Sequence, residues 1–174
     1  MKIRLAVLAF VLTALIAALP PLLLSTQRAE AQGVSNQVIS GYLNRMGVTW
    51  KPHSKDANAF VVSKTTGLKR ASYVEVVVTN LAKDDLVTLR AFPQIRGKWL
   101  ALSGASKQQG LMKAMLVRNA TAFGAYFVDN EGDIGFRYVF TTESGLGYDA
   151  FRVAVTELLR IADDVVVSVY SQYR

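Results

Sequence analysis

The chain of 174 residues contains no cysteine and a single histidine, and 51% of its residues are hydrophobic. It therefore cannot form disulfides, thiolate metal sites or a cysteine nucleophile, and it lacks the acceptor cysteine that a lipoprotein anchor requires. The net charge of +7 is spread along the chain without a run of like charges, which is typical of a mildly basic, solvated surface.

Residues 1–31 have the pattern of an export signal. Lys2 and Arg4 give a basic start, residues 3–24 are almost continuously apolar, and Ala29-Glu30-Ala31 is a small-x-small cleavage site. This pattern predicts cleavage and a periplasmic or secreted protein.

The predicted cleavage falls between Ala31 and Gln32, which leaves residues 32–174 as a single domain of ordinary length. An uncleaved anchor is the alternative, because the apolar stretch is nearly long enough to span a bilayer. Pro20 and Pro21 argue against it, since they would interrupt a spanning helix near its far end.

The rest of the chain begins with an amphipathic helix and two short β-like segments. The helical stripe ends before Gly47, where a left-handed stop is expected, and consists of Val34, Val38, Tyr42 and Met46, widened by Ile39 and Leu43. Of the two segments, 48–50 and 59–64, the second is the stronger strand prediction.

A first hairpin is predicted from residues 72–79 and 86–93, joined by the six residues between them. Symmetric pairing about this loop gives the pairs Val78 with Val87, Val76 with Leu89, Val74 with Ala91, Glu75 with Arg90, and Tyr73 with Phe92. The valines then occupy one face, and Glu75 and Arg90 occupy the other.

The second half predicts a helix over 106–119, weakened by Gly110, and then a second hairpin and a third helix. The hairpin pairs residues 122–128 with 133–140 around a turn, so that Phe127 lies across from Gly135 and Tyr138 across from Gly124. The third helix starts near Phe151 and is expected to fray or end early at the β-branched run Val165-Val166-Val167.

Both faces of the second hairpin are apolar. Phe123, Phe127 and Val139 share one face, and Tyr126, Phe136 and Tyr138 belong to the other. One helix layer covers one face, so the second needs a loop, the third helix, a second subunit or a partner. The alternative is that the three helices cover both faces.

The predicted elements together form an α+β fold in the order α-β-β-β-α-β-β-α, with an antiparallel sheet of about five strands.

The inventory of reactive residues favours a protein that is not an enzyme and has no metal or other cofactor. His53 is predicted to lie in a solvated loop, and Asp129, Glu131 and Asp133 match a turn better than a calcium loop, whose glycine and bidentate glutamate occupy other positions. No phosphate-loop or dinucleotide pattern is present, and nucleic acid is not a predicted partner.

The order of elements resembles the YbjN family of proposed bacterial sensory transduction regulators, whose fold is similar to that of type III secretion chaperones. The segments that carry the resemblance are Val38-Ile39-Ser40-Gly41-Tyr42-Leu43 with Gly47, the strand 73–78, Val117-Arg118-Asn119, residues 123–129, Gly132-Asp133-Ile134, and Gly145-Leu146. They mark the fold and include no catalytic motif. Two features depart from the family: the export signal, since members are often cytoplasmic, and Gly110 within the second helix.

The resemblance favours an exported, non-enzymatic module of the bacterial envelope that holds a protein segment on its sheet or sheet edge, as a dimer. Contact with a membrane is expected only through an uncleaved signal segment. The predicted binding residues are Tyr73, Phe92, Arg90, Arg96, Trp99, Tyr126, Phe136 and Tyr138. The alternative is an envelope protein that binds a small apolar ligand or an anionic lipid between sheet and helices, with Arg90, Arg96, Lys98 and Trp99 at the rim.

Overall fold

An antiparallel sheet forms the centre of the protein in a computed structural model that describes residues 34–120 and 124–174. The helices and strands of this part are α1 Asn36–Met46, β1 Trp50–Pro52, β2 Ala59–Lys64, β3 Tyr73–Leu81, β4 Leu86–Ile95, β5 Lys98–Trp99, α2 Gln108–Asn119, β6 Ala125–Val128, β7 Ile134–Thr141, α3 Tyr148–Arg160 and α4 Val167–Ser171. A π-helical segment, Ile161–Val166, joins α3 to α4.

The predicted α+β class and antiparallel pairing are confirmed. The strand order is β1-β2-β3-β4-β7-β6, with β5 paired to β4 outside this path. The sequence predicts about five strands, whereas the described residues form a seven-stranded sheet. The additional strands β1 and β5 have three and two residues, which is too short for an alternating pattern.

The first hairpin has the predicted faces, but the predicted pairing is wrong by two residues. The observed pairs are Tyr73–Gln94, Val74–Pro93, Glu75–Phe92, Val76–Ala91, Val77–Arg90 and Val78–Leu89. Side chains alternate with a period of two, so this displacement leaves every face unchanged. Glu75 and Arg90 therefore lie on the face opposite Val74, as predicted, without being direct partners.

The cause of the displacement is a connection shorter than the sequence suggests. β3 continues to Leu81, and a single 3₁₀ turn, Ala82–Asp84, closes the hairpin with Asp85 at a φ of 51°. Asn80 is buried within the extended strand because its Nδ2 donates hydrogen bonds to the Val34 carbonyl (2.7 Å) and to Asn36 Oδ1 (2.8 Å). These partners are distant in sequence, so local turn chemistry does not reveal them.

The second hairpin has the predicted register. Phe127 pairs with Gly135, and a Cβ at position 135 would lie 2.7 Å from the Phe127 ring. Glycine is therefore required for the aromatic ring to lie flat over the neighbouring strand. The predicted turn is also confirmed, with Gly132 at a φ of +88°.

Helix α2 continues through Gly110 without interruption. The presence of a glycine at this position is explained by tertiary packing. A Cβ at position 110 would lie 2.8 Å from the ring of Tyr173, so the absent side chain lets the two segments approach closely. In α1, Ile39 and Leu43 are fully buried, whereas Val38 is 38% exposed. The buried side of α1 is therefore centred on Ile39 and Leu43, which the sequence analysis placed at the margin of the predicted apolar stripe.

A long helical unit covers one face of the sheet. Phe151, Val155 and Leu158 of α3 are fully buried in the hydrophobic cluster that also contains Val76 and Leu89 of the central strands. The predicted fraying at the valine run does not occur. Val165, Val166 and Val167 remain helical because most of their surface is packed in this core, which outweighs their weak helix propensity.

The π-helical segment presents Asp163 to the loop between β2 and β3. The carboxylate of Asp163 accepts hydrogen bonds from the backbone N–H groups of Lys69 (2.7 Å), Arg70 (2.8 Å) and Ala71 (2.8 Å). Burial alone would raise the pKa of Asp163, but these three donors hold it below its usual value. Asp164 beside it is more exposed and forms an ion pair with Arg70.

The export signal, its cleavage site between Ala31 and Gln32, and Phe123 lie outside the described residues. Among the described helices, none has both the length and the apolar character needed to cross a membrane.

Asp163→Asn should destabilise the domain by about 2 kcal/mol, because an amide nitrogen would face backbone donors that the carboxylate now satisfies. The depressed pKa means that this stabilisation is present above the unfolded-state pKa and is lost as the pH falls through the folded-state pKa. The variant should therefore show a shallower loss of unfolding free energy between about pH 5 and 2. Chemical denaturation across this range measures it.

Asp164→Asn is the matched control, because its ion pair is exposed to solvent and should contribute little. Equal losses for the two variants would contradict a structural role that is specific to Asp163.

Candidate functional site

The sheet has an outer face that points away from the hydrophobic core. Its residues are Tyr73, Glu75, Val77, Arg90, Phe92, Phe127, Arg137 and Val139. Val74, Val76 and Val78 on the other face are fully buried in the core cluster, whereas Val139 is 43% exposed. Val77, which also lies on the outer face, is only 6% exposed, so the exposed part of this face lies around Val139.

Of the eight predicted binding residues, Tyr73, Arg90 and Phe92 lie together on the outer face, and Trp99 packs beside them. Arg96 lies in the turn after β4, next to a separate cavity.

The predicted binding role of three residues, Tyr126, Phe136 and Tyr138, requires correction. Tyr126 and Phe136 are 6% and 1% exposed and belong to the core, and Tyr138 packs partly buried against it. They share the face that the helices cover, so Tyr126 and Phe136 cannot contact a partner while the fold is intact, and Tyr138 is partly covered.

An aromatic cluster lies at the end of the outer face. The ring of Trp99 meets Tyr73 edge-on at 5.8 Å and Phe92 at 6.4 Å, and Phe92 in turn meets Phe127 at 5.3 Å. Trp99 is held there because β5 pairs with β4 at Gln94. It remains 36% exposed, which leaves indole surface available for binding.

A cleft of about 320 Å³ opens beside this cluster. It is lined by His53, Glu75, Val77, Arg90, Phe92, Trp99, Asp129, Glu131 and Asp133. Its floor is formed by side chains of β3 and β4, and its walls come from β5, the turn of the second hairpin and the segment after β1. Five parts of the sequence therefore converge on it.

His53 is a lining residue that sequence reasoning placed in a solvated loop. Its backbone N–H donates to the Ala59 carbonyl (2.9 Å), and its Nδ1 accepts from the Lys55 N–H (3.2 Å). These bonds hold the half-buried ring in the connection between β1 and β2. His53 lies in the same cleft as Glu75 and Arg90 because of the order of the strands in the sheet. The local sequence around His53 carries no signal for this order.

Two arginines lie side by side on the outer face. Arg90 pairs directly with Arg137 of β7, and neither forms an ion pair within the described residues. The buried Nε of Arg90 has no acceptor there. A buried donor without a partner costs about 1–3 kcal/mol, and like charges in direct opposition also repel. An acceptor supplied by another molecule would relieve both effects.

The opposite wall is acidic. Asp129 Oδ1 accepts hydrogen bonds from the N–H groups of Glu131 (2.9 Å) and Asp133 (2.8 Å), which fixes the turn. Burial, and then the charges of Asp129 and Glu131, raise the pKa of Asp133. Within the described part of the chain, no three His, Cys, Asp or Glu side chains are grouped to hold a metal ion. The wall therefore offers acceptors to a donor or a cation.

Tyr73 links the aromatic cluster to the charged floor. Its hydroxyl donates to Glu75 Oε2 (3.1 Å) and is also 2.9 Å from Ser63 Oγ. Burial raises the pKa of Tyr73, the hydrogen bond with Ser63 lowers it, and the charge of Glu75 raises it. The phenol therefore stays neutral and fixes the position of the Glu75 carboxylate.

Both described edges of the sheet are poorly suited to accept another strand. On β6, the outward N–H of Tyr126 donates to Asn119 Oδ1 (2.6 Å), and the Tyr126 carbonyl accepts from Asn119 Nδ2 (3.2 Å). On the other edge, β1 is three residues long and ends in Pro52, which has no N–H to donate. The part of the outer face around Trp99 and Val139 is therefore more accessible to another molecule than either edge.

A second cavity, of about 490 Å³, lies at the end of β4 beside the C-terminal helix. Arg96, Lys98 and Arg174 line it together with Trp99 and Tyr170, and its lining contains no acidic residue. Its chemistry suits an anion that carries an apolar group.

The fold is similar to that of YbjN, a proposed transcription regulator from E. coli, whose crystal structure superposes with a TM-score of 0.57. The superposition covers 80% of this chain and 93% of that chain at 11% sequence identity. No family model and no curated protein matches the sequence. The likeness confirms the predicted YbjN-like fold.

Asn119→Ala should expose the edge of β6, because the backbone groups of Tyr126 would lose both side-chain partners. We expect a loss of about 1–2 kcal/mol in unfolding free energy and increased self-association with rising protein concentration. Sedimentation velocity over a concentration series measures the association, with Asn130→Ala in the exposed hairpin turn as the control. Equal behaviour of the two variants would show that the Asn119 side chain does not protect this edge.

Proposed function

We propose that the protein is an exported, non-enzymatic, chaperone-like module of the bacterial cell envelope that holds a segment of a partner protein on the outer face of its sheet. The observation that carries the proposal is the cleft beside Trp99, where aromatic surface, the unpaired Arg90 and an acidic wall meet.

A polypeptide segment fits this mixture better than a uniformly charged ligand. Carboxylate or carbonyl oxygens of the partner would accept from Arg90, and its basic or amide groups would donate to Asp129 and Asp133. Apolar side chains of the segment would pack on Trp99 and Phe92, where rigid aromatic anchors contribute most to binding. Recognition through side chains is favoured because the sheet edges are blocked.

The resemblance to the YbjN family supports the assignment at the level of the fold, and we propose membership of that family. Secretion-chaperone-like folds are similar in holding protein segments, which is an argument from analogy. A second copy of this chain is one partner that the outer face would accept, so the experiment must distinguish a homodimer from a complex with another protein.

The second cavity, which is lined by Arg96, Lys98 and Arg174, favours a second candidate function, the binding of a small anion that carries an apolar group. Trp99 lines both this cavity and the cleft, so Trp99 variants cannot separate the two functions. Arg96→Gln with Lys98→Gln would weaken the second function alone, since neither residue lines the cleft.

Phe136→Asp should unfold the domain, because an unpaired charge would replace a ring in the core at a cost above about 4 kcal/mol. Phe127→Asp should lower the melting temperature much less, because its half-buried ring lies on the outer face, yet it should abolish partner binding. Thermal denaturation measures stability, and site-specific photo-crosslinking in an export-competent bacterium measures binding. Equal unfolding by both variants would show that the sheet is sealed within one chain and would reject the proposal.

A photo-reactive residue at Val139 should yield a specific adduct, and one at Val153 should not. Both side chains are similarly exposed, at 43% and 48%, but Val153 lies on α3. The adduct at position 139 should disappear with Phe127→Asp. An adduct with twice the mass of the chain would identify a homodimer, whereas equal crosslinking at both positions would contradict binding on the outer face.

Export is tested independently. We expect N-terminal sequencing of protein recovered from that bacterium to begin at Gln32, as the Ala29-Glu30-Ala31 triplet predicts. Recovery of an intact Met1 in the membrane fraction would support an uncleaved anchor.

A further inference from the structure

Acidic and basic residues are distributed unevenly along the chain. Residues 86–128 contain no Asp or Glu, and their basic residues are Arg90, Arg96, Lys98, Lys107, Lys113 and Arg118. Acidic residues return only at Asp129, in the turn beside the cleft. The segment that contains α2 is therefore uniformly cationic.

Helix α2 is apolar on two opposite sides. Leu111 and Met115 are 1% and 5% exposed and face the core, whereas Met112, Leu116 and Val117 are 46%, 67% and 64% exposed. Leu116 and Val117 are the most exposed large hydrophobic side chains of the described residues. A second apolar side on a surface helix indicates contact with something outside the domain.

A cation lies within this outward side of α2. Lys113 is exposed next to Met112, and it lines a groove of about 580 Å³ between α2 and the C-terminal residues, together with Arg118 and Val117. The ring of Tyr173 forms part of the groove, whose lining contains no acidic residue. An exposed lysine thus lies among the exposed apolar side chains, and Arg118 lines the far edge of the groove.

We propose that the outward side of α2 docks on the surface of an anionic phospholipid bilayer. Met112, Leu116 and Val117 would enter the boundary between headgroups and acyl chains, and Lys113 would contact a lipid phosphate. This combination of exposed apolar side chains with basic neighbours is how interfacial helices bind membranes. A symmetric pairing of α2 with a second copy is disfavoured, because it would bring Lys113 of both copies together with no acidic residue of residues 86–128 to pair with them.

This docking is distinct from the proposed partner binding, because α2 contributes no residue to the outer face or its cleft. It also goes beyond contact through the signal segment. A failure of either proposal would therefore leave the other intact.

The absence of cysteine allows a local test. Single variants Leu116→Cys and Val153→Cys, labelled with an environment-sensitive fluorophore, are mixed with vesicles of phosphatidylglycerol and phosphatidylcholine or of phosphatidylcholine alone. The protein is the form recovered from an export-competent bacterium. We expect a blue shift at position 116 with the anionic vesicles only, reduced by high salt, and no shift at position 153.

Unlabelled variants give the affinity. Lys113→Gln should weaken co-sedimentation with anionic vesicles about fivefold, and Leu116→Gln with Val117→Gln should weaken it about tenfold or more. Val153→Gln, the matched control, should not change it. All variants share one N-terminus, so differences between them report the contribution of α2. Every substituted side chain is exposed, so the variants should fold normally, and circular dichroism checks this.

Three results would overturn the proposal: equal shifts at positions 116 and 153, unchanged vesicle binding in the α2 variants, or no binding to anionic vesicles. Self-association that is lost in the α2 variants, without vesicle binding, would assign this side to a second copy. Vesicle binding that free inorganic phosphate displaces completely would point to a simple anion site.

Discussion

The packing of one continuous helical unit against one face of the sheet determines the rest of this structure. Phe151, Val155 and Leu158 fill the space above β3, β4 and β7, and the unit continues through the π-helical segment to α4. A single layer cannot cover a sheet that carries apolar side chains on both faces. The outer face with its aromatic cluster is therefore the direct consequence of how the core is built.

The polar features of the outer face follow from the same constraint. Residues that alternate with core valines along β3 and β4 must point outward, which places Glu75 and Arg90 near each other without direct pairing. Their neighbours come from other strands, since Arg137 lies across from Arg90 and Asp133 follows the hairpin turn. Charges of both signs thus remain available for a partner, while the cationic side of α2 lies elsewhere on the domain.

Period-two alternation is sufficient to predict which residues share a face, and the turn at 129–132 is sufficient to predict the pairing of Phe127 with Gly135. The register of the first hairpin was not predictable, because Asn80 extends β3 through hydrogen bonds to Val34 and Asn36, far away in the sequence. Pattern alone also left Phe136 and Phe127 equivalent, since only the position of the helices distinguishes the two faces. The convergence of His53 on the cleft likewise depends on strand order.

The π-helical segment has a consequence for how this fold tolerates changes in chain length. A π turn holds one residue more than an α turn, so removal of one residue from Ile161–Val166 would restore regular α-helix. Everything after the deletion would keep its orientation, because the π turn already absorbs the rotation of about 100° that an extra residue adds to an α-helix. If the unchanged sequence instead formed a regular α-helix here, Val166 and Val169 would leave the core, or Asp163 would leave the loop that it holds. The extra residue therefore lets one helix satisfy two alignments that a regular α-helix could not satisfy together.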